Sequence, residues 1–306
     1  MTVQTPSETS SLPPEKQDRQ RPRIVIGVVI VLIVIGAYAL SLFGVHLLQK
    51  SEGPLPPLDI SQAGPDETVV QIRLEELKST TNRLTVNVLI YPGESLEDKR
   101  FDELNTDIAV RLYPPNDLGD LKYPAGKAPA QVSTTIQADG DPGAWPFDSY
   151  RTEPISADVF VGNGAERKRL PALVQVTGAM DGWDASVTRN SDTSETGSHN
   201  TSNVVVTLHR AKGPLIFDLG IILVLVSLPT LALVVAIPMA MGRRKFVPPF
   251  ATWYAANLFA IVPLRNILPG APPPGSMIDQ ALVQWVLLAL ATAMALYIYS
   301  YIRQGD

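Results

Sequence analysis

Four apolar segments, each close to the length that crosses a lipid bilayer, constrain this chain of 306 residues more than any other feature. They cover residues 24–48, 215–241, 246–264 and 277–302, and the first contains no Asp, Glu, Lys or Arg. Because about 20 apolar residues cross the hydrocarbon core as a helix, we expect four transmembrane helices. The polar stretch between the first and second segments, about 160 residues, is long enough to form a domain with its own core.

These segments predict how the chain is divided. Residues 1–23 are rich in Ser, Thr, Pro and Gln, a composition typical of disorder, and we expect a disordered cytoplasmic tail. Residues 24–48 form the first transmembrane helix, and residues 49–65 form a Pro-rich linker. Residues 66–212 form a β-sandwich outside the cytoplasm, and residues 213–306 contain the other three transmembrane helices.

The distribution of Lys and Arg predicts the orientation in the membrane. Basic residues precede the first segment, separate the second from the third and follow the fourth; they are Lys16, Arg19, Arg21, Arg23, Arg243, Arg244, Lys245 and Arg303. Since cytoplasmic loops are enriched in basic residues, four spans with both termini in the cytoplasm place them all on one side. We therefore expect a multi-pass protein of the plasma membrane with its β-domain outside. A re-entrant third segment is the alternative, because Pro248, Pro249 and Pro263 bracket it.

Composition narrows the function classes. The chain has no cysteine, which excludes disulfides, thiolate catalysis and cysteine-bound zinc. The net charge of the chain is −5, and the positive charges of the polar stretch are scattered, so nucleic acid is not an expected partner. The sequence has no P-loop, no dinucleotide fingerprint and no Gly-x-Ser-x-Gly motif, and its three histidines lack the spacing of metal ligands. We therefore expect a non-enzymatic protein without a cofactor.

The polar stretch reads as a series of short strands separated by Gly, Pro, Asn and Asp. The runs are 68–74, 84–91, 107–113, 131–138, 155–161, 170–177, 184–189 and 203–209. In the second run Leu84, Val86, Val88 and Ile90 share one face. Eight such runs predict an antiparallel sandwich of the immunoglobulin type. Residues 75–78 are expected to form a short helical turn.

Residues 139–150, with the sequence Asp-Gly-Asp-Pro-Gly-Ala-Trp-Pro-Phe-Asp-Ser-Tyr, are the densest group of candidate site residues. The candidates are the carboxylates Asp139, Asp141 and Asp148 and the aromatic residues Trp145, Phe147 and Tyr150. The three carboxylates could bind a hard cation through oxygen, although their spacing does not match an EF-hand loop. The favoured interpretation is a tight turn followed by aromatic residues that cover the core.

A second candidate is the Pro-rich elbow at residues 265–279, between the third and fourth apolar segments. Arg265 and Asp279 flank it, and Asp218 lies about one turn inside the second segment, where an unpaired carboxylate is costly. We therefore predict a polar cluster of Asp218, Arg265 and Asp279 at the outer membrane interface. The alternative is that each side chain reaches water separately.

The sequence resembles an uncharacterised family at three places: residues 145–150, the final strand that runs into an apolar segment, and the elbow at 265–279. The family consists of multi-pass membrane proteins of bacteria, chiefly actinobacteria and mycobacteria, described as a domain of unknown function. The resemblance implies a location in the cell membrane, and it implies no activity.

The sequence is also similar, more faintly, to pentameric ligand-gated channels. Those channels have a β-sandwich with a Pro-Phe-Asp corner, a later Trp and a final strand that ends in Arg, in the order of residues 145–148, Trp183 and Arg210 here. An apolar segment before the sandwich, three segments after it instead of four, and the lack of a polar pore-lining segment are departures from that pattern.

Taken together, these patterns favour an accessory or structural protein of the cell envelope whose β-domain binds a partner protein or a lipid outside the membrane. The alternative is a ligand-sensing homo-oligomer that resembles a channel or transporter. A membrane-tethered enzyme ranks third, and would use carboxylates near Asp139 and Asp148. The oligomeric state is left open.

Overall fold

The computed structural model describes the following residues: 55–162, 167–170, 172–190, 203–270, 272–304 and Gly36. Residues 51–306 form one compact unit, which holds every strand and every complete helix of the described residues. The predicted tail, the predicted helix 24–48 apart from Gly36, and the start of the predicted linker lie outside the described residues.

The β-domain is built from thirteen strands in the described part of the chain. They are β1 (Thr68–Lys78), β2 (Arg83–Tyr91), β3 (Glu97–Asp98), β4 (Glu103–Leu104), β5 (Ile108–Tyr113), β6 (Leu121–Tyr123), β7 (Val132–Gly140), β8 (Ser149–Thr152), β9 (Ser156–Val161), β10 (Lys168–Leu170), β11 (Ala172–Thr177), β12 (Trp183–Asn190) and β13 (Asn203–Arg210). Seven form one sheet in the order β11-β1-β2-β7-β8-β13-β12, and four form a second in the order β10-β9-β5-β6. β3 and β4 pair with each other.

The two sheets share one apolar core. Alternate residues of β2 are buried as predicted, with Leu84, Val86, Val88 and Ile90 at most 1% exposed. Each such side chain contributes roughly 1.5–3 kcal/mol of burial free energy. The Tyr123 hydroxyl on β6 donates to the main-chain oxygen of Val88 at 2.9 Å, which links the two sheets.

The immunoglobulin-type antiparallel prediction is wrong in its topology. Each of the eight predicted runs overlaps a strand, but β1 and β11 pair in parallel, from Thr68 opposite Ala172 onward. The predicted helical turn at 75–78 is also wrong, because β1 continues to Lys78 and buries Leu77 opposite Leu84 of β2. The short strands β3, β4, β6 and β8 were not predicted, and β10 was not separated from β11, since two to four residues carry too little periodicity.

Three helices follow the β-domain. They are α1 (Lys212–Ala240), α2 (Phe250–Asn266) and α3 (Gln284–Gln304), and a π-helical turn at Asp279–Val283 leads directly into α3. Their buried faces form one cluster. At the end away from the β-domain, the Gln304 side chain accepts from the Phe246 main-chain nitrogen at 2.8 Å and donates to the Met239 oxygen at 3.0 Å. The carboxyl ends of α1 and α3 therefore lie together.

The prediction of four transmembrane spans is wrong. Among the described residues, α1 and the continuous helix Asp279–Gln304 are long and apolar enough to cross a membrane. Only 22% of the most apolar stretch of each is buried, so both expose apolar side chains. α2 has 17 residues, about 25 Å, against about 30 Å of hydrocarbon. Prolines bound this segment, and Tyr254 and Asn257 lower its hydropathy.

Candidate functional site

The β-domain passes into the helices with almost no intervening chain. Strand β13 ends at Arg210 and α1 begins at Lys212, with Ala211 between them. The main-chain nitrogen of Ala211 donates to Gly182 at 3.0 Å, which ties this joint to the residue before β12. Because one residue separates the strand from the helix, the direction of β13 constrains where α1 starts.

Arg210 is held by a buried carboxylate from the loop before β8. Its Nε donates to Asp148 Oδ1 at 2.8 Å and its Nη2 donates to Oδ2 at 3.0 Å. The Tyr150 hydroxyl donates to the same carboxylate at 3.1 Å. Burial, and then the charge of Asp148, raise the pKa of Tyr150 well above its usual range, so the phenol stays a donor. Asp148 is thus satisfied by three donors.

Other groups enclose the same guanidinium. The Arg210 guanidinium lies over the Trp183 ring of β12, 4.3 Å from the ring centroid. The Tyr150 ring is nearly perpendicular to the Trp183 ring, with the two centroids 5.3 Å apart. On the helical side, Gly270 has φ +76°, and a Cβ at this position would overlap the Arg210 guanidinium. Arg210 therefore contacts the β-domain and the elbow between α2 and α3 together.

A second contact between the two parts is apolar. Trp145 is fully buried and forms a cluster with Leu268 and Ile278 of the elbow, which we name the Trp145 cluster. Ile221 of α1 and Leu282 of the π-helical turn pack against it. An aromatic side chain of the β-domain is thus inserted among the helices, at the corner where the Trp145-to-proline peptide bond is cis.

Arg265 and Asp279 close the elbow. The Arg265 Nε and Nη2 donate to the two oxygens of Asp279 at 3.0 and 2.7 Å. Nη2 also donates to the Pro273 oxygen at 3.3 Å, and Asp279 accepts from the Gly275 nitrogen at 3.0 Å. This partly buried pair holds the two ends of residues 265–279 close to each other.

Asp218 lies apart from that pair. It is 2% exposed on α1, and its Oδ1 has no hydrogen-bond partner in the part of the chain that the structure describes. Its electrostatic neighbours are Arg210 and Asp148. The structure thus divides the expected cluster: Arg265 and Asp279 form one pair, and Asp218 lies beside the Arg210–Asp148 pair.

The three candidate metal carboxylates have separate roles. Asp139 accepts from Gln137 Nε2 at 2.7 Å, and Asp141 accepts from the Gly143 nitrogen at 2.8 Å as it caps a short turn. Asp148 is occupied by Arg210. No group of three His, Cys, Asp or Glu side chains among the described residues could hold a metal ion. Asp139 and Asp148 thus have different partners, Gln137 and Arg210.

Five contributors to this junction were not predicted as site residues: Trp183, Arg210, Leu268, Gly270 and Ile278. Arg210 carried a usable signal, because a basic residue that ends a strand directly before a long apolar helix needs a partner. The pairing with Asp148 joins residues 62 positions apart and depends on the register of β8 against β13.

Comparison with known families gives two matches. Residues 58–208 match a family described as "Domain of unknown function (DUF4436)", and residues 210–304 match a second, "Domain of unknown function (DUF8686)". Both parts of the chain resemble families of unknown function. This confirms the expected similarity to uncharacterised proteins, and neither description indicates a catalytic activity. No match was found among curated proteins. The two matched regions meet at the junction described above.

Proposed function

We propose that this chain is a non-enzymatic membrane protein of the bacterial cell envelope, chiefly of actinobacteria, that holds its β-domain just outside the membrane. In this function, α1 and Asp279–Gln304 cross the membrane in the same direction, and α2 with the residues beside it returns the chain to the outer side between them. The β-domain binds a partner protein or a lipid. The residues that carry the function are structural, and no catalytic group or cofactor takes part.

The junction at Arg210 is the observation that carries this proposal. A receptor domain on a flexible tether would need no buried contacts with its anchor. Here one residue separates β13 from α1, Arg210 is bonded to buried Asp148, and Trp145 is inserted among the helices. Such contacts fix the distance and orientation of a domain relative to the bilayer, which suits a protein that presents a surface to another envelope component.

Charge supports the orientation. Arg243, Arg244 and Lys245 directly follow α1, and Arg303 lies at the end of α3, so the basic residues gather at the end away from the β-domain. Because basic residues are enriched on the cytoplasmic side of membrane proteins, the end of the helices away from the β-domain and the carboxyl terminus lie in the cytoplasm. The β-domain then lies outside.

Orientation is tested by labelling, since the chain has no cysteine of its own. Glu153→Cys places a thiol on the exposed surface of the β-domain, and Arg244→Cys places one between α1 and α2. A membrane-impermeant maleimide should label Glu153→Cys in intact cells. It should label Arg244→Cys only after the cells are permeabilised. Labelling of both in intact cells, or of neither after permeabilisation, would contradict a membrane-crossing orientation.

The binding role is tested by gentle extraction from the host membrane into lipid nanodiscs, followed by native mass measurement. A complex with another protein, or tightly retained lipid, is expected. A symmetric homo-oligomer alone would favour the channel-like alternative. A lone monomer with neither partner nor lipid would overturn the proposal.

A further inference from the structure

The length of α1 locates the outer boundary of the hydrocarbon. Its 29 residues extend about 43 Å at about 1.5 Å per residue, about 13 Å more than the hydrocarbon core. The basic run that begins at Arg243 marks the inner end. About nine residues at the start of α1 therefore project outward, and the boundary falls near Ile221.

The last helix gives the same level independently. From Arg303, the basic residue at its inner end, about 20 residues of helix cross about 30 Å. That distance reaches the π-helical turn at Asp279–Val283, close to Leu282. Two helices of different sequence thus place the outer boundary at Ile221 and Leu282.

The β-domain reaches that level. Ile221 and Leu282 both pack against the Trp145 cluster, together with Ile222. Two residues after Trp145, Phe147 is 64% exposed, whereas Trp145 and Asp148 are 0% and 2% exposed. The corner therefore turns one large aromatic ring outward at the depth where aromatic side chains favour the membrane interface.

We propose that Phe147 inserts into the headgroup–acyl boundary of the outer leaflet, so that the β-domain itself binds lipid beside the helices. Other exposed apolar side chains adjoin the same level from α1 and from both ends of the elbow: Phe217, Leu223, Ile267 and Met277. The nearby charges of Arg210 and Arg265 are paired with Asp148 and Asp279. An apolar band whose neighbouring arginines are paired suits the boundary of a bilayer.

This inference rests on the proposed membrane location, and a depth measurement separates the two. Single-cysteine variants Phe147→Cys, Leu223→Cys and Phe101→Cys would each carry a nitroxide label in nanodiscs of phosphatidylethanolamine and phosphatidylglycerol. Leu223 is 70% exposed on α1, and Phe101, 67% exposed between β3 and β4, is the matched control. The measured quantity is the rate at which oxygen collides with the nitroxide, divided by the rate for a water-soluble nickel chelate. This oxygen-to-nickel ratio rises as the label lies deeper in the bilayer.

The Phe147 label should show an oxygen-to-nickel ratio above that of Phe101 and below that of Leu223. A ratio equal to that of Phe101, with Leu223 in lipid, would reject the insertion of Phe147 and leave the membrane location standing. A water-like ratio at Leu223 would reject both. Protection of the Phe147 label from both reagents would mean that protein covers it, which also rejects the inference. Because Phe147 is exposed, an unchanged unfolding midpoint is expected for its variant and serves as the folding control.

Discussion

The guanidinium of Arg210 and the carboxylate of Asp148 form two hydrogen bonds, at 2.8 and 3.0 Å, across the base of the β-domain. Their side chains are 10% and 1% exposed. Removing one partner leaves the other charge buried without compensation. This pair is therefore costly to break, and it lies where the β-domain meets α1.

We expect Asp148→Asn and Arg210→Gln each to destabilise the protein by about 3–5 kcal/mol, and the double variant to lose less than the sum. Unfolding midpoints of the full chain in detergent measure the effect. Arg83→Gln, which breaks the exposed pair with Asp117, is the control and should cost about 0–1 kcal/mol. Additive losses in the double variant would show that the two residues are not coupled.

Tyr150→Phe isolates the third donor to Asp148. The substitution removes the 3.1 Å hydrogen bond and keeps the ring that packs against Trp183. A loss of about 1.5–3 kcal/mol is expected, as for hydrogen bonds to charged groups. Tyr123→Phe removes a hydrogen bond to a neutral main-chain oxygen and should cost about 1 kcal/mol. Equal losses in the two variants would argue that Asp148 does not depend on Tyr150.

Two glycines of the elbow separate backbone strain from contact with Arg210. Gly270 and Gly275 have similar positive φ values, +76° and +82°, but only a Cβ at Gly270 meets the guanidinium. Gly270→Ala should therefore lower the unfolding midpoint more than Gly275→Ala, and the difference should shrink in an Arg210→Ser background. If Gly270→Ala and Gly275→Ala still differ as much in unfolding midpoint in the Arg210→Ser background, contact with Arg210 is not the cause of the difference.

The sequence predicted those features of the fold that depend on the local alternation of apolar and polar residues. The alternation of β2 names its buried face, because the period of a strand is two and Leu84, Val86, Val88 and Ile90 obey it. The prediction that Trp145, Phe147 and Tyr150 all cover the core is wrong for Phe147, which is 64% exposed. Trp145 and Phe147 are both aromatic and lie two residues apart in a loop, so the sequence does not distinguish them. Only the packing of the elbow distinguishes them.

Contacts between residues far apart in the chain could not be predicted from local hydrophobic patterns, for a different reason. The register that sets Leu208 opposite Tyr150 also brings Arg210 to Asp148, and it depends on the whole sheet. The span count was wrong because hydropathy does not give the length of a helix: α2 has only 17 residues and is shorter than the hydrocarbon core.

Asp120 predicts a pH dependence of stability. It accepts from Arg111 Nε at 2.7 Å and from Arg167 Nη2 at 2.8 Å, and these bonds lower the pKa of Asp120 to about 2. A lowered pKa gives stability that is present above the unfolded value of about 3.9 and is lost as the pH falls through about 2. The difference in unfolding midpoint between wild type and Asp120→Asn should be constant above about pH 5 and narrow between about pH 5 and 2. The effect should be small, because water screens these partly exposed groups. A difference that does not change with pH in this range would contradict the role of the two arginines.

Trp145 holds the β-domain against the helices, and its loss should free the joint between them. Trp145→Ala empties a fully buried site in the Trp145 cluster and should cost about 3–5 kcal/mol. Because the contact lies between the two parts, we expect faster tryptic cleavage after Arg210 and Lys212 at temperatures where the core of the β-domain stays folded. Phe101→Ala, which removes an exposed ring away from the helices, should leave cleavage at the wild-type rate. If Trp145→Ala lowers the unfolding midpoint without faster cleavage at these two sites, Trp145 stabilises the core of one part and does not hold the two parts together.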